Sequence, residues 1–189
     1  MAGAELAPQM RAYAPIQTAT DRSQIMPVRP FVMWPDKRLR SAAAPVAEVT
    51  DEIRAIWADM VETMDAMPGV GLAAPQIGVM LALAVVDASQ ARGKAVKMAN
   101  PMVLHASAEL RPHEEASPNL PGFSALIARP RAVTVAYLDA DGQAAEKDFV
   151  GLWATSVQHQ IDHLAGRMYF DRLSKIRRDM LLNKARKRR

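Results

Sequence analysis

The stretch LWATSVQHQIDHL, Leu152–Leu164, reads as a helix whose two sides carry different chemistry. At about 100° per residue, Ala154, Val157, Ile161 and Leu164 gather on one side as an apolar stripe. His159 and His163 stand one turn apart and project together from the opposite side, about 150° from the middle of that stripe. They are therefore not simple core packing. Gly166 closes the helix. Two histidines at this spacing can supply two ligands of a metal site completed by a third group elsewhere. Taken alone the signal is weak, because an exposed pair of helical histidines is the commoner explanation.

Upstream, Arg131–Leu138 alternates as a strand, and Asp141-Gly142 turns the chain into a second strand ending near Val150. An earlier helix is expected near residues 50–67. Val49, Ile53, Ile56, Trp57, Met60, Val61, Met64 and Met67 fall at helical spacing. Thr50 caps it, Asp51 and Glu52 suit its N-terminal dipole, and Pro68-Gly69 stops it. A Gly-rich turn and a strand, Met80–Val86, follow. From Ala88 to Phe123 the expectation is mostly loop and short strand, broken by Pro101, Pro112, Pro118 and Pro121. A basic helix is expected over Ser174–Lys187. Strands in the middle with helices at either end imply an α+β fold, antiparallel sheets around the histidine-bearing helix. The chain divides into a flexible leader (1–25), a domain (26–173), and a basic C-terminal helix and tail (174–189). Met26 opens the domain and is an alternative start to Met1.

The 189 residues are 50% hydrophobic and 23% charged, an ordinary globular balance. The absence of cysteine excludes disulfides and thiolate metal sites and suits a cytoplasmic protein. No apolar run approaches the roughly 18 residues of a membrane span. The net charge is +4, but Asp171–Arg189 holds nine Lys/Arg against two Asp. Such an end can seek phosphate, although composition alone favours a solvated tail.

Three further segments must be read together. Gly69–Gln76 is GVGLAAPQ, Glu115–Gly122 is EASPNLPG, and Gln158–Leu164 is QHQIDHL. The chain resembles the peptide deformylases, whose three motifs are GxGLAAPQ, EGCLSxPG and QHExDHL, over about Pro30 to Leu182. The resemblance implies a metal, iron or a substitute, held by His159, His163 and the residue at 117, for removing the formyl group from N-formylmethionine. It assigns the proton shuttle to position 160, and oxyanion donors to Gln76 and the amide of residue 118. It places Val70, Gly71, Leu72, Ala116 and Leu152 along the substrate cleft. It makes Arg129 and Asp162 a supporting ion pair, and implies approach to the ribosome through the basic C-terminal helix.

Three of those roles meet the wrong residue. Position 117 is serine, a neutral hydroxyl in place of a thiolate. Position 160 is glutamine, which cannot take a proton near neutral pH. Position 118 is proline, which has no N–H to donate. The missing donor costs a factor of about 10²–10³ and the missing base about 10²–10⁴. The expectation is a deformylase-like protein of little or no deformylase activity, retained to bind peptide N-termini or the ribosome. A slow or rebuilt metal-dependent hydrolase is the alternative, with His113, Glu114 or Glu115 as replacement ligand. No tightly held cofactor is expected, only a weak divalent site for iron or zinc. Thr155 and Ser156 share the histidine face near Leu152 and suit a methionine side chain less well than an apolar wall would.

Overall fold

The computed structural model describes residues 28–188, so the leader, the start at Met26 and Arg189 lie outside the described residues. Helix α1 is Asp51–Asp65. Thr50 Oγ1 accepts from the Ile53 amide, Asp51 and Glu52 occupy the first turn, and Ile53, Trp57, Met60 and Met64 form the buried face.

Two antiparallel sheets follow. Strands β1 (Gly71–Ala73), β2 (Leu83–Val86), β3 (Val96–Ala106), β6 (Ala132–Leu138) and β7 (Ala144–Val150) form a five-stranded sheet in the order β1-β2-β3-β6-β7. β4 (Leu110–Ala116) and β5 (Ser124–Pro130) pair as a separate ribbon. Helix α2 occupies Leu152–Leu164, and α3 spans Lys175–Lys187. The expected α+β architecture is what the chain adopts, with α2 between the large sheet and the ribbon. α1 packs on one part of the large sheet through Trp57, Met60 and Leu72. The stripe of Ala154, Val157 and Leu164 packs on another with Val135 and Phe149.

Two expectations fail here. Half of the segment Ala88–Phe123 is strand, in two strands longer than expected, and the strand expected at Met80–Val86 is confined to Leu83–Val86. Pro101 is tolerated because β3 is irregular at that point. Its register with β6 shifts between Ala99 and Met102, and Asn100 takes a left-handed φ of 52°. The Asn100 side chain then bonds both the amide and the carbonyl of Val46, which anchors the bend. Pro112 lies in the two-stranded ribbon, where β4 has a free edge and a missing N–H is tolerated.

Gly166 ends α2 at φ 69°, and a Cβ there would sit 2.7 Å from the backbone carbon of Arg40. Glycine is required by both conformation and space. The C-terminal helix is not simply a solvated tail. Ala185 is buried, and Leu181 and Leu182 pack beside Trp34, Tyr169 and Phe170. Its Ile176 and Met180 stay exposed. No helix among the described residues is long and apolar enough to cross a membrane.

Candidate functional site

α2 delivers His159 and His163 to a buried position, at 8% and 2% exposure, which overturns the exposed-pair reading. The polar side of this helix is covered by the β4–β5 ribbon and by Tyr169, whose ring stacks on that of His159 at 6.3 Å. Burial, with His159 and Arg129 nearby, pushes His163 well below the ordinary imidazole value, so it is neutral at pH 7. The two Nε2 atoms are 3.1 Å apart. A neutral His163 leaves one proton to bridge them.

On its other side, His159 Nδ1 lies 2.8 Å from Glu115 Oε2. Burial would raise the Glu115 pKa, but hydrogen bonds from Arg129 and His159 outweigh it and hold the carboxyl below its usual value. A carboxylate only accepts, so Nδ1 carries the proton and Nε2 faces its partner. Arg129, fully buried, grips Glu115 through Nε at 2.5 Å and Nη2 at 2.8 Å and reaches Asp162 through Nη1 at 2.8 Å. Asp162 is also held by Arg172 at 2.5 Å and 2.8 Å. Arg167 Nη2 also lies 3.2 Å from Asp162, so the supporting pair read from the sequence is part of a larger charge network. Nothing in the spacing marked Glu115, Arg167 and Arg172 as members of it.

The second wall is made by Gln76, in the short helix Ala74–Ile77, and by the turn after β4. Gln76 Oε1 accepts from the Ala73 amide at 2.8 Å, which ties the side chain to the backbone three residues earlier. Its amide nitrogen donates to Asn119 Oδ1 at 2.8 Å and, more weakly, to Ser117 Oγ at 3.4 Å. The Ser117 hydroxyl donates to Asn119 Oδ1 at 2.8 Å. Asn119 Nδ2 in turn bonds the carbonyls of Val32 and Gln76. Asn119 is fully buried and organises this wall, yet the sequence reading gave it no role. Its one signal is position: a polar residue directly after Pro118 in a tight turn.

These walls enclose a cavity of about 440 Å³. Val70, Gly71, Gln76, Ala116, Ser117 and Pro118 line it, and Leu152, Thr155, Ser156, His159 and Gln160 line it from α2. Leu72 does not line it, which corrects its place among the cleft residues. Alternation along β1 turns Gly71 to the cavity and Leu72 into the core, where it is fully buried. At Gly71 even a Cβ would meet the Gln160 amide at 2.6 Å. Gln160 is 4% exposed and its Oε1 has no hydrogen-bond partner.

The donors fit a resident metal ion poorly. The two Nε2 atoms converge well enough to share one ion, and Glu115 steadies His159 as a metal ligand is commonly steadied. The third donor, Ser117 Oγ, is neutral and already committed to Asn119 and Gln76. Glu115 is turned to the far ring nitrogen and to Arg129, and cannot serve as replacement ligand from there. Among the described residues, no three or more His, Cys, Asp or Glu side chains are grouped to hold an ion.

Comparison with known proteins agrees with the motifs. The family model for polypeptide deformylase matches residues 28–179. A peptide deformylase of Methylocella silvestris is 44% identical over 164 residues, covering 84% of each chain. The crystal structure of a peptide deformylase from Legionella pneumophila superposes with a TM-score of 0.79 at 36% identity, over 85% of this chain and 95% of that one. A Met-Ala-Ser-bound peptide deformylase from Acinetobacter baumannii gives a TM-score of 0.74 at 30% identity, over 79% of this chain and 100% of that one. With matching motifs, fold and histidine helix, the chain belongs to the polypeptide deformylase family.

Proposed function

We propose that this member of the deformylase family binds peptide N-termini in the cytoplasm and has little or no deformylase activity toward N-formylmethionine substrates. The observation that carries the reading is Ser117. Its hydroxyl stands where the family's motif has cysteine and is bonded to Asn119 and Gln76 instead of being a free anionic ligand. Gln160 cannot accept a proton at the shuttle position, and Pro118 cannot donate from its nitrogen. The cavity itself persists, with Gln76, Gly71 and His159 in its lining. A bound Met-Ala-Ser in the Acinetobacter baumannii relative supports a peptide N-terminus as the ligand.

A second reading, a slow or rebuilt hydrolase removing formyl groups from nascent chains, is favoured by the support that Glu115 gives His159. The 44% identity to a named peptide deformylase also favours it. Turnover of a formyl-Met peptide by protein supplied with iron or zinc, beside an authentic deformylase, separates the two. We expect binding by calorimetry with turnover reduced at least 10²-fold, the scale of one lost oxyanion donor. Family-typical turnover would overturn the proposal. Ribosome association through α3 belongs to the same reading, supported by Arg177, Arg178, Lys184, Arg186 and Lys187 along that helix. Such binding should weaken as salt rises.

A further inference from the structure

Helix α3 and strand β5 leave an open groove of about 450 Å³ between them. Phe123 lines it and is held in place by Tyr169, whose hydroxyl donates to the Phe123 carbonyl at 2.9 Å. Leu126 stands on the strand side, and Arg177, Met180, Leu181 and Lys184 on the helix side. Those four helix positions fall within about 100° of one another and form one stripe. Arg177 and Lys184 are about 10 Å apart along the axis, with Met180 and Leu181 between them. Leu126 and Met180 are 64% and 57% exposed, and Ile176, one turn before Met180, is 74% exposed. The nearby carboxylates are already engaged, Asp179 by Lys175 and Asp171 by Arg40. Among the described residues no carboxylate lines the groove, and Arg177 and Lys184 enter no ion pair.

We infer that this groove docks an acidic amphipathic helix of a partner protein, which lays apolar side chains on Leu126 and Met180 and sets carboxylates against Arg177 and Lys184. Charge complementarity selects this occupant: two unneutralised cations end an apolar strip, and carboxylates flanking an apolar face match both. Carboxylates seven residues apart on the partner helix repeat the spacing of about 10 Å. A nucleic acid would meet the two cations, but its phosphates would leave Leu126, Met180 and Ile176 in water. Exposed apolar side chains grouped beside charge mark a surface that another macromolecule covers. The groove shares no lining residue with the cavity, so the inference does not rest on what the cavity binds.

The test is fluorescence anisotropy of a labelled, acetylated helical peptide added to the full chain, with leucines spaced i, i+3, i+4 and i+7 and glutamates flanking them. It should bind at least about tenfold tighter than the same peptide with serine for leucine, or with glutamine for glutamate. Met180→Asp should lose the binding, because it sets a carboxylate against those of the peptide. Arg177→Glu/Lys184→Glu should lose it too, and should instead bind the peptide that carries lysine for glutamate, a swap that a misfolded chain would not show. All three positions are exposed, so the variants should keep the Tm of the unmodified chain. Equal binding of the leucine and serine peptides overturns the inference, since charge alone would then suffice. An RNA oligonucleotide or phosphatidylglycerol vesicles binding through Arg177 and Lys184 while no peptide binds also overturns it and gives the groove to that partner. No binding of any probe overturns it as well, and each of these outcomes leaves formyl-peptide binding in the cavity untouched.

Discussion

Glu115 holds His159 from behind: its Oε2 lies 2.8 Å from Nδ1, on the side of the ring away from His163. The same carboxylate is gripped by Arg129, and Arg129 passes the contact on to Asp162 on α2. One guanidinium therefore fixes β4, β5 and α2 against each other. The orientation of the imidazole is set by the fold and does not depend on a bound ion.

Removing that guanidinium should be costly. Arg129→Met keeps much of the side-chain volume but leaves Glu115 and Asp162, 5% and 2% exposed, with fewer partners. Breaking a buried ion pair from one side costs about 3–5 kcal/mol. Urea unfolding of the variant should show a loss of that size. A loss below about 1 kcal/mol, the range of surface pairs, would mean that water reaches the carboxylates and that the network is not a structural clamp.

Acid should act in two stages. His163 is held well below its ordinary value of 6.5 by burial and by its neighbours. Below about pH 6.5 the unfolded chain thus takes up a proton that the folded one refuses, and stability falls by about 1.4 kcal/mol per pH unit. Glu115 is held below 4.5, where hydrogen bonds from Arg129 and His159 outweigh burial. Asp162 is held below 3.8, where Arg172 and Arg129 outweigh burial. Their stabilisation is complete above those ordinary values and is lost as the pH drops through the lower folded ones. Chelator-treated protein followed by Tm from pH 8 to 3 should decline from about pH 6.5 and more steeply in the carboxylate range. His163→Gln should remove the first stage and keep the second. A flat profile down to pH 5 would show that His163 is not held neutral.

The histidine helix was legible because its pattern is local. Period, apolar stripe and Gly166 together fix Leu152–Leu164 without reference to the rest of the chain. β3 and β4 were not, because Pro101 and Pro112 read as breakers until the bend at Asn100 and the free edge of the ribbon are known. The same contrast holds in the site. Gln76, Ser117 and Gln160 stand within recognisable motifs, and all three line the cavity. Asn119, His113 and the Glu115–His159 contact depend on which strands approach α2, which no one-dimensional spacing records.

At Gly71 the cavity wall leaves no room for a side chain. An alanine Cβ would come within 2.6 Å of the Gln160 amide nitrogen and closer still to Ser156 Oγ, which donates to the Val70 carbonyl. Both neighbours must move, and overpacking of this kind costs about 1–3 kcal/mol. Gly71→Ala should lower Tm and abolish peptide binding by calorimetry. Ser156→Ala in the same chain removes the nearest obstacle and should recover part of both. Unchanged peptide affinity in Gly71→Ala would place the ligand away from this wall.

Restoring the chemistry tests whether three coupled losses explain the site. Chelation should leave the Tm of the unmodified chain nearly unchanged, since a weakly held ion adds little by mass action. Ser117→Cys should act first, by supplying an anionic third donor beside His159 and His163, and the retained metal of purified protein should rise toward one equivalent. Gln160→Glu alone should do little. Its Oε1 position has no partner, and a carboxylate there is useful only beside a bound cation. Pro118→Leu returns a backbone N–H, which should raise kcat more than it changes KM, by about 10²–10³ once the other two are in place. Residues acting as a unit are non-additive, so the triple variant should far exceed the product of the single gains. Full turnover from Gln160→Glu alone, or no gain in metal from Ser117→Cys, would show that the site is organised differently from this account.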